Sequence, residues 1–525
     1  MKNYNLIFLL MVVIFTSGCE DFLEEEPVDE IALDQYFTEP EHARDAVNAL
    51  YRTGAMQLYP GDIYAGSRIM FGPWVSGYVD NDYKGQEVHV GYAQNLNYTP
   101  SNLSSYFNGM WSDMYLGISR ANTAIKYIPE LEELSDQERS QYLAEAHFFR
   151  ALNYFYLVRL FGGVPLITAP YESIGDLEVE RSNTGAVYNL IVDDLNLAIN
   201  TGGLSSGNMP GNNGRITKEV AQTVLADVYL TRSGRAGDGD YYAEAAEVAK
   251  KVINSGVYNL TQHELNENGE LSEGGSAYNQ IKDSRLPANE FIYYYEYQIG
   301  IANSTYPAWS YPVSLSPEVS YAIVNNAYKP TSDLLNAYDL ENDLRIQEKQ
   351  YFHSSDVLPN GEEIQFETAP HMWKDEEALF ETALSDNATQ IYTYSNVLLI
   401  AAESIAKSEG VTSEAVEYLS KVRERAYWKN DPEAIRASLS GLSSEVFAEE
   451  VLKERVRELV FEFTIWFDII RTGKFPDSNG GEINFVDVVG SSNNFDATIE
   501  ESDLLLPIPE LEMQRNSLLT QNPGY

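Results

Sequence analysis

The chain has one cysteine in 525 residues, Cys19, so it cannot carry an internal disulfide framework. Histidine is nearly as scarce. The six (His42, His89, His147, His263, His353 and His371) are scattered and give no zinc-ligand spacing. Positive charge is short too: 35 Lys plus Arg stand against 79 Asp plus Glu, a net charge of −44. That deficit argues against nucleic acid, whose phosphates need a basic footprint. It also disfavours docking onto an anionic lipid surface through a basic patch. Past residue 20 no run of 18 or more apolar residues occurs, so no transmembrane helix is expected. Glycine and proline, 35 and 21, are too few for a low-complexity chain. What remains is a globular composition, 44% hydrophobic and 22% charged, with enough chain for several domains of about 150 residues or one large one.

Catalytic signatures are missing as well. There is no H-E-x-x-H, G-x-S-x-G, Walker loop or G-x-G-x-x-G. Asp80-Asn81-Asp82-Tyr83-Lys84-Gly85 begins like a calcium loop, but Lys84 occupies a ligand position and Gly91 falls where the bidentate Glu belongs. Glycoside hydrolysis needs two positioned carboxylates, and among 79 acids a candidate pair carries no information. No catalytic residue, cofactor or metal is predicted.

The N-terminus assigns a compartment. In MKNYNLIFLLMVVIFTSGC, Lys2 precedes an unbroken apolar run from Leu6 to Phe15, followed by Thr16-Ser17-Gly18. This is a secretory signal over residues 1–18, too short to span a bilayer. The only cysteine stands at the cleavage junction, as in the lipobox of a bacterial lipoprotein, although Thr16 occupies a position where Leu is usual. The alternative is a secreted protein in which Cys19 is incidental. On the lipoprotein reading Cys19 carries acyl chains that anchor the protein without a spanning helix. An acidic tether, including Glu20-Asp21-Phe22-Leu23-Glu24-Glu25-Glu26, runs over residues 19–40.

Beyond the tether, helical periodicity dominates. Helices are expected over Pro40–Tyr51, Leu103–Tyr127, Gln141–Phe161 (stopped by Gly162-Gly163 and Pro165), Thr184–Ala198, Thr217–Leu230 with Thr217 as N-cap, and Tyr241–Ile253. A second hairpin falls at Tyr394–Ala406 and Ser413–Ala426, and one long helix at Val446–Arg471. Each hairpin pairs an apolar Leu/Ala helix with an Ala-rich amphipathic one, as tetratricopeptide pairs do. Two stretches, 59–102 and 256–390, refuse this periodicity. The second contains a strand, Phe291–Gln298, with Phe291, Tyr293, Tyr295 and Tyr297 on one face. The expected fold is mainly α: an irregular tetratricopeptide-like scaffold with long loop and short-strand insertions, divided into an N-terminal region 41–255 and a C-terminal region 256–525.

AEAHFFRALNYFYLVRLFGGVPL (144–166), RITKEVAQTVLADVYL (215–230), YSNVLLIAAESIAK (394–407), KERVRELVFEFTIWFDIIR (453–471) and LLLPIPELEMQRNSLLTQNPGY (504–525) together resemble the SusD/RagB family of Bacteroidetes outer-membrane lipoproteins. The likeness covers the mature chain in order. It departs from the family where Glu462 is followed by Phe463-Thr464-Ile465 in place of Glu-Gly-x-Arg, and where Asn516 is followed by Ser517 in place of Pro. The resemblance implies four tetratricopeptide-like units and a surface-exposed, lipid-anchored site at the outer membrane. It implies a SusC-like TonB-dependent transporter as partner. The implied role is non-catalytic capture of oligosaccharides, starch-like polysaccharide included; some members serve peptide uptake. A surface glycosidase and a purely protein-binding scaffold are the other classes to weigh.

Sugars stack their C–H faces on aromatic rings and hydrogen-bond through hydroxyls. Tyr outnumbers Phe 37 to 21, a bias toward rings with a polar handle. Trp111 and Trp466 lie on helical stripes and read as core; Trp428 ends a repeat helix and reads as structural. Trp74, Trp309 and Trp373 lie in Gly/Pro-flanked insertions, where binding residues concentrate. Trp74 and Trp309 are the expected stacking platforms, with Tyr78, Tyr306 and Tyr311 in support and Arg68, Asn81 and Asp82 as polar partners. A chain this acidic should prefer neutral or cationic ligands.

Overall fold

The computed structural model describes residues 36–62, 66–171, 178–235, 238–287, 289–320, 323–478 and 480–525. The signal sequence, Cys19 and all but the last few residues of the tether lie outside these. Among the described residues no helix is long and apolar enough to cross a membrane.

Eleven helices form the scaffold: α1 Pro40–Leu50, α2 Ser104–Tyr127, α3 Asp136–Phe161, α4 Thr184–Asn200, α5 Lys218–Arg232, α6 Tyr242–Asn254, α7 Tyr394–Ser408, α8 Ser413–Ala426, α9 Pro432–Ser440, α10 Ser444–Glu458 and α11 Ile465–Thr472. Side chains set their starts. Ser135, Asn183, Thr393, Thr412 and Ser443 each accept a hydrogen bond from the backbone N–H three residues on, satisfying an orphan donor of the first turn. Thr217 occupies the N-cap of α5 but makes no capping bond. At the end of α3 Gly162 takes φ +74°, and a side chain on Gly163 would collide with the Ser182 carbonyl oxygen, so the predicted stop is sterically enforced.

From α2 to α7 each helix packs on the next, and α7 then packs on both α8 and α10. The α6–α7 contact joins segments separated by the whole 256–390 insertion, which leaves the stack between two neighbours and returns to it. One apolar cluster runs from Ala43 to Leu519. α3 is at its centre and is buried on every side from Phe148 to Phe161.

The insertion returns through a strand pair. β1 Phe291–Tyr295 lies antiparallel to β4 Thr389–Thr393, which feeds directly into α7. β1 ends three residues before the expected strand end, and all five of its residues are buried. Register shifts at Phe291/Tyr293 and Tyr293/Tyr294 break the two-residue alternation. The single aromatic face expected from sequence is therefore not formed. β2 Phe352–Val357 and β3 Glu363–Pro370 make a second antiparallel pair.

The expected helix Val446–Arg471 is divided. α10 ends at Glu458, a 3-10 turn covers Val460–Glu462, and Phe463 takes φ +58° before α11 begins. This is the position where the resemblance led one to expect glycine, and the left-handed conformation is one a Phe adopts only at a cost of about 1–3 kcal/mol. The ring is 1% exposed and packs edge-on against Tyr328 and stacked on Trp373. Truncating such a buried ring to Ala costs about 3–5 kcal/mol, more than the backbone strain, so the packed ring is kept.

Buried ion pairs cross-link the stack. Arg345 is wholly buried and pairs with Asp343 at 2.7 Å and with Glu454 and Glu458 at 2.8 Å. Arg425 joins Glu458 to Glu290 beside β1. A second set links Glu403, Arg471, Asp468 and Arg455 across α7, α10 and α11. Burial alone would raise the Glu454 carboxyl, but Arg345 and Arg423 draw it down to about 2. Glu462 is the contrary case. Its carboxylate oxygens accept bonds from Thr393 and Asn396, yet burial pushes it up to about 8. A carboxyl with a folded pKa above its unfolded value favours the fold while protonated. That contribution is complete below the unfolded value of 4.5 and disappears as pH climbs through about 8. Thermal melts between about pH 5 and about pH 9 should show the wild type losing stability and Glu462→Gln spared that loss. Parallel curves for the two proteins would contradict the assignment.

Candidate functional site

The two non-helical stretches meet. Val79–Asp80 pairs antiparallel with Lys329–Pro330, and Thr331 donates through both its N–H and its hydroxyl to the Tyr78 carbonyl. Gly66 backs onto the second insertion: a side chain there would meet Ala327 Cβ at 3.3 Å and the Trp74 ring at 3.4 Å. Chain segments far apart in sequence thus meet in the fold.

Every ring expected to contact the ligand is buried, Tyr311 in a small cluster of its own with Val324 and Leu379. Trp74, on the short helix Phe71–Ser76, is 0% exposed; its indole N–H donates to the Ala327 carbonyl at 3.2 Å, and its ring lies 5.4 Å from His89. Trp309 is also 0% exposed, against the backbone of Gly61, with Tyr306 at 4.2 Å and Trp373 at 5.8 Å. Tyr306 donates to the Tyr59 carbonyl at 3.1 Å, Tyr78 to the Pro476 carbonyl and Tyr311 to the Asp356 carboxylate. Burial pushes all three phenols far above their ordinary range. Trp373 is buried among Tyr306, Trp309, Tyr328 and Phe461. Asn81 is wholly buried, its side-chain oxygen accepting from the Tyr83 N–H. The expectation that these aromatics stand open to stack on a ligand is corrected: with no helix to bury them, the insertions use their own rings as core. Replacing Trp74 by Ala should cost about 3–5 kcal/mol of stability, read as a fall in denaturation midpoint. An unchanged midpoint would return the ring to the surface.

Two of the expected residues do reach solvent. Arg68, with 35% of its side chain exposed, pairs with Asp113 of α2. Asp82 accepts from Lys329 Nζ at 3.1 Å and from the Val313 N–H, and Lys329 also pairs with Glu367 of β3. Burial raises the Asp82 carboxyl, with Lys329 opposing. Above Trp74, the His89 ring stacks at 4.9 Å on half-buried Tyr106, near Arg68. Arg68 with Asp113 forms one polar cluster, and Asp82, Lys329 and Glu367 form another, so two cations meet three carboxylates. Both clusters are partly exposed and offer donors and acceptors, the equipment for hydrogen-bonding a polar ligand.

Sequence reasoning missed Asp113, Lys329, Glu367 and Tyr106. Glu367 had a signal: in EIQFET (363–368) alternation places Glu363, Gln365 and Glu367 outward, and all three are exposed. Asp113 and Tyr106 lie off the core stripe of α2, and nothing local pairs them with Arg68. The calcium-like start at Asp80 is closed by its own lysine: Lys84 sits 2.7 Å from Asp80. Among the described residues no cluster could hold a metal ion.

Comparison with known proteins agrees with this architecture. Residues 371–525 match the SusD family model, and residues 21–230 match a model described as "Starch-binding associating with outer membrane". SusD-like protein P2 of Formosa agariphila is 27% identical over the full length of both chains, and a SusD-like protein of Bacteroides ovatus is 22% identical over all of this chain and 98% of its own. A crystal structure of a SusD superfamily protein from Parabacteroides distasonis superposes with a TM-score of 0.80 at 28% identity, covering 92% of this chain and 99% of that one. Surface glycan-binding protein A of Bacteroides thetaiotaomicron, solved with laminarihexaose, shares the fold at a TM-score of 0.66 and 19% identity, covering 92% and 99%. The chain belongs to the SusD family, a helical class associated with starch binding at the outer membrane.

Proposed function

We propose that the protein is a non-catalytic, surface-exposed glycan-binding lipoprotein, anchored through Cys19, that passes oligosaccharide to a SusC-like TonB-dependent transporter. The observation that carries the binding reading is the meeting of the two insertions, which sets partly exposed charged groups on segments anchored by packed rings. Relatives support it: one is named a starch-binding protein, one structural neighbour is described as laminarin-binding, and another holds laminarihexaose. Arg68 and Asp82 remain the contact residues of this reading, now with Lys329, Glu367 and Asp113. Trp74, Trp309 and Trp373, with Tyr78, Tyr306, Tyr311 and Asn81, act by holding the insertions rigid, which lowers the ordering cost of binding.

Calorimetry with laminarihexaose and maltohexaose tests the site. Arg68→Ala should weaken the bound probe at least tenfold, about 1.4 kcal/mol, at an unchanged melting temperature. Unaltered affinity would remove Arg68 from the site. Binding of peptides with no response to either hexasaccharide would favour the peptide-uptake reading, and reducing sugar released from polysaccharide would overturn the non-catalytic one.

The anchor is tested separately. Cys19→Ser should move the protein from the membrane to the soluble fraction on cell fractionation, because a serine hydroxyl cannot take the thioether-linked lipid. Retention in the membrane would mean a different anchor.

A further inference from the structure

One cavity among the described residues contains none of Arg68, Asp82, Asp113, Lys329 and Glu367. It is a cleft of about 670 Å³ between the end of α8, the start of α9, α10, and the segments 336–340 and 481–483. That volume lies within the range of about 300–1,000 Å³ typical of small-ligand sites. Two of its three cations are already paired: Arg423 with Glu450 at 3.0 Å and Glu454 at 2.9 Å, and Lys453 with Glu450 at 2.8 Å. With Asp339, Glu450 and Glu482 on the wall, the cleft has no net positive field to draw an anion.

Its unengaged groups are polar and planar. The side-chain amides of Asn336 and Asn430 and the phenol of Tyr427 make no hydrogen bond to any described residue. Arg457 uses only Nε, on the Ala337 carbonyl at 2.6 Å, leaving both terminal nitrogens for a ligand. The half-buried Tyr427 ring, with Ile435 and Ile483, supplies an apolar wall beside them. Amides and a phenol both donate and accept, as vicinal hydroxyls do, while a ring and branched aliphatics meet a C–H face.

We infer that this cleft is a second, independent binding site for a short neutral saccharide, built from Asn336, Asn430, Tyr427 and Arg457. Two sites on one rigid body let a long glycan engage both, so its affinity exceeds that of an oligomer held at either. The inference rests on the proposed glycan-binding function, and its test separates the two.

Titrate wild type, Arg68→Ala and the double variant Asn336→Ala/Asn430→Ala with laminarihexaose and maltohexaose by calorimetry. The two asparagine side chains bond to nothing described, so the double variant should keep the wild-type melting temperature. The expected result is two sites on the wild type for the hexasaccharide that binds. The asparagine variant should keep only the site sensitive to Arg68, and Arg68→Ala should keep only the cleft site. The corresponding polysaccharide, laminarin or amylose, should lose about tenfold in affinity with either variant. One wild-type site, abolished by Arg68→Ala and untouched by the asparagine changes, overturns the cleft and leaves the glycan reading standing. No heat with either hexasaccharide overturns both.

Discussion

Arg345 is a guanidinium with no access to water, and the C-terminal half of the fold is arranged to keep it paired. Asp343 holds it from the insertion, Glu454 and Glu458 from α10, and Glu458 hands on to Arg425 and through it to Glu290 beside β1. Removing one partner from such a set leaves a buried charge uncompensated, at a cost of about 3–5 kcal/mol. The network therefore specifies more than it stabilises. It admits only the arrangement in which the returning insertion, α8 and α10 stand together, and this fixes where the long loops leave and re-enter the helical stack.

A consequence is that the insertions are not loose appendages. The second brings Trp309, Tyr306 and Trp373, which pack into one aromatic cluster that Phe463 completes from the turn between α10 and α11; Trp74 of the first is tied to the second through the Ala327 carbonyl. Phe463 endures a left-handed backbone because its ring fills this cluster. Arg68 with Asp113, and Lys329 between Asp82 and Glu367, sit on segments anchored by these buried rings. Polar groups on such segments are pre-positioned, which lowers the ordering cost of binding a ligand.

Much of the scaffold was legible in the residue pattern. The helices 104–127, 184–200, 394–408 and 413–426 follow apolar steps of three and four residues, and the last three start at side chains that cap them, Asn183, Thr393 and Thr412. The break at Phe463 was hidden, because periodicity runs unbroken through VFEFTIWF and only the local backbone reveals the turn. The candidate site was half legible. That the insertions carry it was readable from their lack of period; that Arg68 and Asp82 face solvent while Trp74 and Trp309 do not was not, since a ring beside Gly and Pro has the same local signature in a binding loop and in a loop that supplies its own core.

Sequence alone determined the helical class, the paired-helix order, the acid excess and the lone cysteine at position 19, all of which are properties of neighbouring residues or of composition. Only tertiary structure decided which aromatics are inside and which carboxylate meets which cation, Asp113 with Arg68 and both Asp82 and Glu367 with Lys329. Burial and ion pairing depend on what arrives from elsewhere in the chain, and here the arriving segments lie up to hundreds of residues away, as Trp74 and Ala327 do.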